Sequence, residues 1–509
     1  MGKTLKIPSE IISLAEKLNQ AGFSVYLVGG CVRDLLLKRE PKDWDIATNA
    51  LPAQIQKIFP DSVYENQFGT VGIKTKSGNF SLKIIEITTF RIEGKYSDKR
   101  HPDKIKFSQT IEQDLARRDF TINAIALNLA ELKELEIGNS LAAPDFAQRE
   151  KLEINLVDPY NGQEDLKNKI IKAVGDPNQR FQEDALRLIR AVRFAVEIGF
   201  TIEKQTEQAI KKNAGLLKII AKERIRDELV KILMIREAKT GIELLEKMNL
   251  LESIMPELRQ GIGISQNLHH IYSVWEHNLL SLDYAAKKDF SLELRLAALL
   301  HDVGKPKTKR GQGKYATFHG HEAVGAKMAK IILTRLCFPK ELINKVVHLV
   351  RYHLFYYNVG EVTEAGVRRF ISRVGIENID DLIKLRQADR IGSGVPKAVP
   401  YKLRHLLFMI EKVRRDPVSA KMLKIDGNQI IEILKIPPGP KIGWILAILL
   451  DEAMEDPKKN TGNYLEERVK QLGELTDKEL EKMAQSARER KEEFESGVEA
   501  KMKSKFYVK

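Results

Sequence analysis

Hydrophobic and polar positions change their period part-way along the chain. Near the N-terminus, short apolar runs mix with helical spacing. SVYLVGG (residues 24–30) predicts a buried strand entering a turn, and CVRDLLL (31–37) has helical spacing. VGIKTK (71–76) and LKIIEITTF (82–90) predict strands, the second with alternating character. From about Gln179 apolar residues recur at i, i+3 and i+4, with few strand signals. The stretches are EDALRLIRAVRFAVEIGF (183–200), AKERIRDELVKILM (221–234) and TGIELLEKMNLLESIM (240–255). The fold class is therefore an α+β N-terminal head followed by all-α modules. A Gly-containing break at 261–267 and a Gly/Pro cluster at 392–400 bound a histidine-richer module. Further turn signals fall at Asp426-Gly427 and Pro437–Pro440, and from about Thr476 Lys and Glu dominate. The expected divisions are a head over 1–150, a helical neck and body over 151–262, the histidine-rich module over 263–395, a helical region over 396–475, and a charged tail over 476–509, read as a solvated helix or frayed end.

Composition narrows this picture. A chain of 509 residues suggests about three or four domains. Its 43% apolar content is enough for real cores, and 30% charged with 7% aromatic residues fits a helix-rich cytosolic protein. The net charge of +14 favours a polyanionic partner, because Lys and Arg neutralise phosphates, although a solvated basic surface has the same composition. The two cysteines, Cys31 and Cys337, form neither a disulfide framework nor a zinc knuckle. Any metal site must then use His and carboxylates. No secretory signal or apolar run of about 18 residues is visible, so no membrane role and a cytoplasmic location are expected.

Two constellations carry chemistry. In LVGGCVRD (27–34), Gly29 and Gly30 sit between strand and helix, where backbone N–H groups can approach a phosphate and Arg33 can reach a triphosphate. A Gly-Gly turn alone is usually only a turn. DWDIAT (43–48) follows. If Asp43 and Asp45 lie on a strand, both carboxylates point to one side, and a hard cation such as Mg²⁺ relieves their repulsion. The pair alone reads equally as a surface loop; turn, helix and D-x-D together are a much rarer combination. Glu86 is a third acid of this site or an edge residue.

GGCVRD with DWDIAT resembles the head of class II CCA-adding tRNA nucleotidyltransferases and bacterial poly(A) polymerases, a polymerase-β-like fold. Residues 88–107 resemble the family's flexible loop, EQDLARRDFTINAIA (112–126) its RRD-F-T-I-N-A motif, VDPYNGQEDL (157–166) its D-P-x-x-G-x-x-D-L motif, EDALRLIRAVRF (183–194) its nucleotide-selecting neck helix, and AKERIRDELVKIL (221–233) the motif after it. The resemblance implies two-metal phosphoryl transfer with Mg²⁺ at Asp43 and Asp45, activating a 3′-hydroxyl and stabilising pyrophosphate. It implies Arg118 on the incoming nucleotide and Asp119 on the ribose side, with one of Arg117 and Arg118 structural. Asp184 and Arg187 would act as a protein template on the base edge, and Arg190 and Arg193 would hold the triphosphate. By spacing alone, Glu183, Asp184, Arg187, Arg190 and Arg193 form a stripe on a helix that also reads as salt bridges on a solvated face. The substrates implied are tRNA, CTP and ATP. The presence of Arg91 to Lys99 argues against C-only addition, and the absence of an arginine-rich stretch before the loop argues for CCA over poly(A) synthesis. A-only addition and poly(A) synthesis remain alternatives.

In the third module, LRLAALLHDVGKP (294–306) places His301 and Asp302 at the end of an apolar helix, with His277 before them and Asp389 after. In this order they resemble the metal-binding set of HD-superfamily phosphohydrolases, with His321 and His353 as the extra histidines of two-metal versions and His348 as a packing residue. Imidazoles with carboxylates suit a divalent transition metal. The resemblance leaves open hydrolysis of cyclic or terminal phosphates at RNA ends and a purely supporting role. Residues 424–467 resemble the helical tRNA-binding region of related enzymes. An HD phosphohydrolase with a degenerate RNA-binding head, and a non-enzymatic tRNA binder, are disfavoured by the intact Asp43, Asp45, Asp184 and Arg187.

Overall fold

The structure is a computed structural model, and it describes residues 7–64, 69–94, 105–130, 155–267, 271–414 and 420–508. The boundary expected near residue 150 and the loop residues 95–104 lie outside the described residues. The chain divides into two compact units. One comprises Met1–His353 with Lys384–Val395; the other comprises Leu354–Ile383 with Pro396–Lys509.

The first unit opens with a mixed sheet. Its strands are β1 (Val25–Val28), β2 (Asp45–Thr48), β3 (Ser62–Tyr64), β4 (Thr70–Lys74) and β5 (Ile84–Thr89). After the separate pair β6 (Arg91–Glu93) and β7 (Ile105–Phe107), β8 (Ala126–Asn128) and β9 (Leu156–Val157) complete it. The order is β3-β4-β5-β2-β1-β8-β9, with β2 and β5 parallel and the other neighbours antiparallel. Alternation in β5 buries Ile85, Ile87 and Thr89 and leaves Glu86 on the open face. In the parallel register Glu86 stands beside Asp45. Glu86 is thus on an interior strand, which removes the edge-residue alternative.

The D-P-x-x-G-x-x-D-L segment has a structural explanation. Asp158 accepts hydrogen bonds from the N–H groups of Gly162 and Gln163 at 2.7 and 2.9 Å, capping the helix Gly162–Asn168. That helix rests on Thr121–Asn123 so closely that a Cβ at Gly162 would lie 2.2 Å from the Thr121 carbonyl oxygen. Asp165 accepts from the Thr121 hydroxyl at 2.6 Å. The segment therefore fixes the loop that carries Asp119 and Asn123.

Beyond the head the unit is helical. The neck differs from the single helix expected. Pro177–Glu183 and Arg187–Ile198 are separate helices, and Asp184 between them is extended. The Asp184 side chain accepts from the Leu186 N–H at 3.0 Å, which supplies the local reason for the break. The second unit is all-helical. Ile430, Ile445, Leu449, Leu465, Val469, Leu472 and Leu480 form its main core. The tail is a 29-residue helix, Asp477–Lys505, opened by a Thr476/Glu479 capping box. Its Leu480, Ala484, Ala487 and Met502 are buried, so it is not solvated on all sides. Among the described residues no helix is long and apolar enough to cross a membrane.

Candidate active site and metal centre

The Gly-Gly turn, the acids and the arginines of the neck line one cavity of about 960 Å³. Its walls include Gly29, Gly30, Arg33, Asp43, Asp45, Arg117, Arg118, Asp119, Asp184, Arg187, Arg190 and Arg193. Gly29 has φ +78°, and a side chain there would place its Cβ 2.7 Å from Arg118 Nη1. Only glycine meets both demands. Asp45 opens β2, whereas Asp43 sits in the bend before it, so the two are not both on a strand as expected. Burial pushes the Asp45 carboxyl up to about 6, with Asp43 and Glu86 adding to the rise and Arg118 opposing it. A carboxylate held among like charges in a dry site is stabilised by a cation. The three acids fit a hard ion that also takes water and substrate oxygens, as Mg²⁺ does.

The arginines are all engaged. Arg33 donates to Asp34 at 2.8 Å and to Asn123 at 2.9 Å. Arg190 donates to Asp119 at 2.8 Å through Nε. Burial would raise the Asp119 carboxyl, but Arg190 overrides it, with help from Asn123 and Arg187, and holds it at about 2. Arg193 donates to Glu228 at 2.7 Å and to Glu197 at 2.8 Å. Arg187 reaches Glu183 at 2.8 Å and the carbonyls of Arg180 and Arg117 at 3.1 and 2.9 Å. Asp184 and Arg187 therefore face one cavity while each is oriented by a different partner. Of the paired arginines in the loop, Arg117 and Arg118 both reach the buried Asp114, at 2.8 and 3.3 Å.

The second centre lies in the helical part of the same unit. His277 projects from the helix Val274–Lys287, and His301 and Asp302 follow the helix Leu292–Leu300. His321 opens the helix His321–Arg335, His353 follows Lys340–Tyr352, and Asp389 lies in Ile379–Gly392. All six are buried. Nδ1 of His301, His321 and His353 lies 2.9, 2.7 and 2.7 Å from the carbonyl three residues earlier. Such bonds place the ring proton on Nδ1 and leave Nε2 as a ligand atom. Nε2 of His277 and Nε2 of His301 approach to 2.8 Å. Asp302 Oδ2 is 3.1 and 3.4 Å from these two nitrogens, while its Oδ1 is 3.3 and 3.6 Å from Nε2 of His321 and His353. The ligand atoms form two groups, His277/His301/Asp389 and Asp302/His321/His353. Imidazole lone pairs and carboxylates packed together in a buried space fit divalent transition metals. Asp302 spans the groups with one oxygen toward each. His348 stacks on Tyr352 at 4.7 Å and stands outside them.

Residues 25–172 match the family model described as the Poly A polymerase head domain. Residues 199–261 match the probable RNA and SrmB-binding site of polymerase A, and 268–391 match the HD domain. The chain is 35% identical over 439 residues to the A-adding tRNA nucleotidyltransferase of Deinococcus radiodurans, covering 84% of this chain and 90% of that one. It belongs to the tRNA nucleotidyltransferase and poly(A) polymerase family. It is a nucleotidyltransferase enzyme that carries an HD domain. The CCA-adding enzyme of Lactobacillus helveticus is 44% identical over 236 residues, 46% of this chain and 52% of that one, so the match spans about half of that relative. The CCA-adding enzyme of Bacillus stearothermophilus, in complex with CTP, has a similar fold with a TM-score of 0.56 at 26% identity, covering 91% of this chain and 98% of that one.

Within this family frame, several residues around the site were not singled out from sequence. Asp114 anchors both loop arginines, and its signal was its place three and four residues before them. Burial opposes its charge, but Arg117 and Arg118 hold its carboxyl below the usual range. Asn123 joins Arg33 to Asp119. Glu228 binds Arg193 and Lys231, and Lys305 lies 2.5 Å from Asp302 and 2.6 Å from Gln266.

Proposed function

We propose that the chain adds C, C and A in turn to the 3′ end of tRNA, with CTP and ATP as donors, in the cytoplasm. The supporting observation is that one cavity is lined by both the Asp43/Asp45 carboxylates and the Asp184/Arg187 pair. In each cycle the 3′ oxygen attacks the α-phosphorus, the bond to the bridging oxygen breaks, and pyrophosphate leaves. Asp43 and Asp45, with Glu86 beside them, would hold Mg²⁺. When bound, Mg²⁺ supplies activation of the hydroxyl and neutralises the leaving group. Asp184 accepts from the exocyclic amino group of cytosine or adenine, and Arg187 donates to a ring nitrogen. Uracil and guanine present a carbonyl there and leave buried groups unmet. Arg118, Arg190 and Arg193 serve the triphosphate side by exchanging or sharing their present carboxylate partners, and Gly29 and Gly30 let the backbone approach it. Asp119 sits on the ribose side.

A specific observation favours a second reading. The Deinococcus relative named an A-adding enzyme aligns over nearly its whole length, and the Lactobacillus CCA-adding relative over half. The test is incubation of full-length protein with tRNA ending at the discriminator base or at the second C, plus CTP, ATP and Mg²⁺. Extension by C, C and A from the first substrate supports CCA addition. Extension by a single A from the second only moves the assignment to A addition, a long A ladder moves it to poly(A) synthesis, and no extension of either overturns the nucleotidyl-transfer reading.

We infer for the HD centre a metal-dependent hydrolysis of cyclic or terminal phosphates at RNA ends. His277, His301 and Asp389 would hold one divalent metal and His321 and His353 a second, with Asp302 offered to both.

A further inference from the structure

Asp184 is held by a residue from another helix. Arg224 lies in the first turn of the helix Lys222–Met234. Its Nη1 and Nη2 donate to the two Asp184 oxygens at 3.3 and 2.9 Å, a two-pronged contact with both side chains partly buried. Oδ1 also accepts from the Leu186 N–H at 3.0 Å. A carboxylate offers about four acceptor positions. Three are occupied by this chain's own donors, which leaves one. The fork fixes the carboxylate plane, because two parallel N–H groups define an orientation that a single donor does not. Arg224 also lines the same cavity.

We propose that Arg224 is a positioning residue for nucleotide selection: by clamping Asp184 it leaves one lone pair aimed at the base and so restricts the partner to an amino-bearing edge. Without the fork, the Asp184 side chain turns about its own bonds, and water fills its acceptor sites. An amino group then gains less over a carbonyl, and selectivity falls. The discrimination is thus set by the helix Lys222–Met234 as well as by the break in the neck. The inference rests on the nucleotidyl-transfer reading and deepens it, and it applies equally to cytosine and adenine.

The test uses full-length wild type, Arg224→Met, Arg224→Lys, Asp184→Ala and the Arg224→Met/Asp184→Ala double variant, each with tRNA acceptors and one nucleotide at a time. The readouts are kcat/KM ratios, CTP over UTP and ATP over GTP, with thermal melting recorded for every variant. Arg224→Met is expected to lower these ratios by about tenfold or more, a lost orienting contact in a buried site. Arg224→Lys, which gives one donor, recovers part of the loss. In the Asp184→Ala background the Arg224 substitution changes the ratios no further, because a residue acting through Asp184 has nothing left to orient. Unchanged ratios in Arg224→Met, or equal additional loss in the double variant, overturn the proposal. A uniform loss for all four nucleotides with a lowered melting point and no rescue by Lys also overturns it, by showing a merely structural role. Wild type that adds no nucleotide sinks the nucleotidyl-transfer reading itself, so the two failures are distinct.

Discussion

Replacing Asp119 by Asn tests how strongly the head and neck are bound electrostatically. Asp119 is buried, accepts from the Phe120 N–H and from Asn123, and pairs with Arg190 on the neck helix. Its carboxyl falls from the ordinary 3.8 to about 2. That drop corresponds to about 2.4 kcal/mol of stability at neutral pH. The sign follows from the direction. A depressed carboxyl stabilises the fold above the unfolded value, and the contribution fades as pH falls through about 4 toward 2. At pH 3 about half of it is gone. Asn at this position keeps the shape and loses the charge. The gap between wild type and Asp119→Asn is then about 2 kcal/mol at pH 7, roughly 1 kcal/mol at pH 3, and flat above about pH 5. Urea unfolding followed by Trp44 fluorescence measures it. Trp44 is buried beside Asp43, and a background with Trp275→Phe and Trp444→Phe leaves it the sole indole. A gap that stays constant from pH 7 to pH 3 refutes the linkage, and no gap at pH 7 shows that Arg190 finds equivalent hydration without Asp119.

Asp43→Ala is expected to abolish extension while tRNA binding by filter retention stays within about twofold, since phosphate contacts elsewhere supply most affinity. Gly29→Ala should cost about 2 kcal/mol or more and most of the activity, from the positive φ and the displaced Arg118; a variant that melts and extends like wild type would falsify the turn argument. Asp302→Ala, the residue that faces both ligand groups, should strip bound transition metal and phosphohydrolase activity together. His353→Ala should remove only part of the metal, measured by elemental analysis on protein purified without chelator.

Much of the site was legible before any coordinates. The Gly-Gly turn, D-x-D, the six HD-type ligands and the helical body depend on local spacing and on residue chemistry, and both are written along the chain. What spacing does not carry is partner choice across the fold. The neck arginines looked like free cations for a triphosphate, yet Asp119, Glu228 and Glu197 already claim Arg190 and Arg193. Those acids lie on different elements, so no periodicity announces the pairs. Glu86 was ambiguous for the same reason. Strand register, not its own neighbours, puts it beside Asp45. The tail looked solvated because Lys and Glu swamp a thin stripe made by Leu480, Ala484 and Ala487.

The break at Asp184 is the most consequential departure, because the segment has strong helix formers on both sides and its composition favours continuity. Ala, Leu and Arg at 185–187 carry no penalty in a helix. What interrupts it is the Asp184 side chain, bonded to the Leu186 N–H and gripped by Arg224. Removing that side chain has two effects at once. It deletes the base-edge acceptor, and it lets Pro177–Ile198 tend toward one helix, which would turn Arg187 out of the cavity. Asp184→Ala therefore reports on fold and selection together. Asp184→Asn separates them, since Asn caps a helix start about as well as Asp and keeps the bond to Leu186. It exchanges an all-acceptor group for one donor and one acceptor. The expected result is a melting point within a few degrees of wild type and a CTP over UTP preference reduced by about tenfold or more, as the amide can now donate to a carbonyl edge. The ratio of kcat/KM values on tRNA acceptors checks it. Preserved preference in a stable Asp184→Asn enzyme would remove Asp184 from the base edge and leave its role as the hinge of the neck alone.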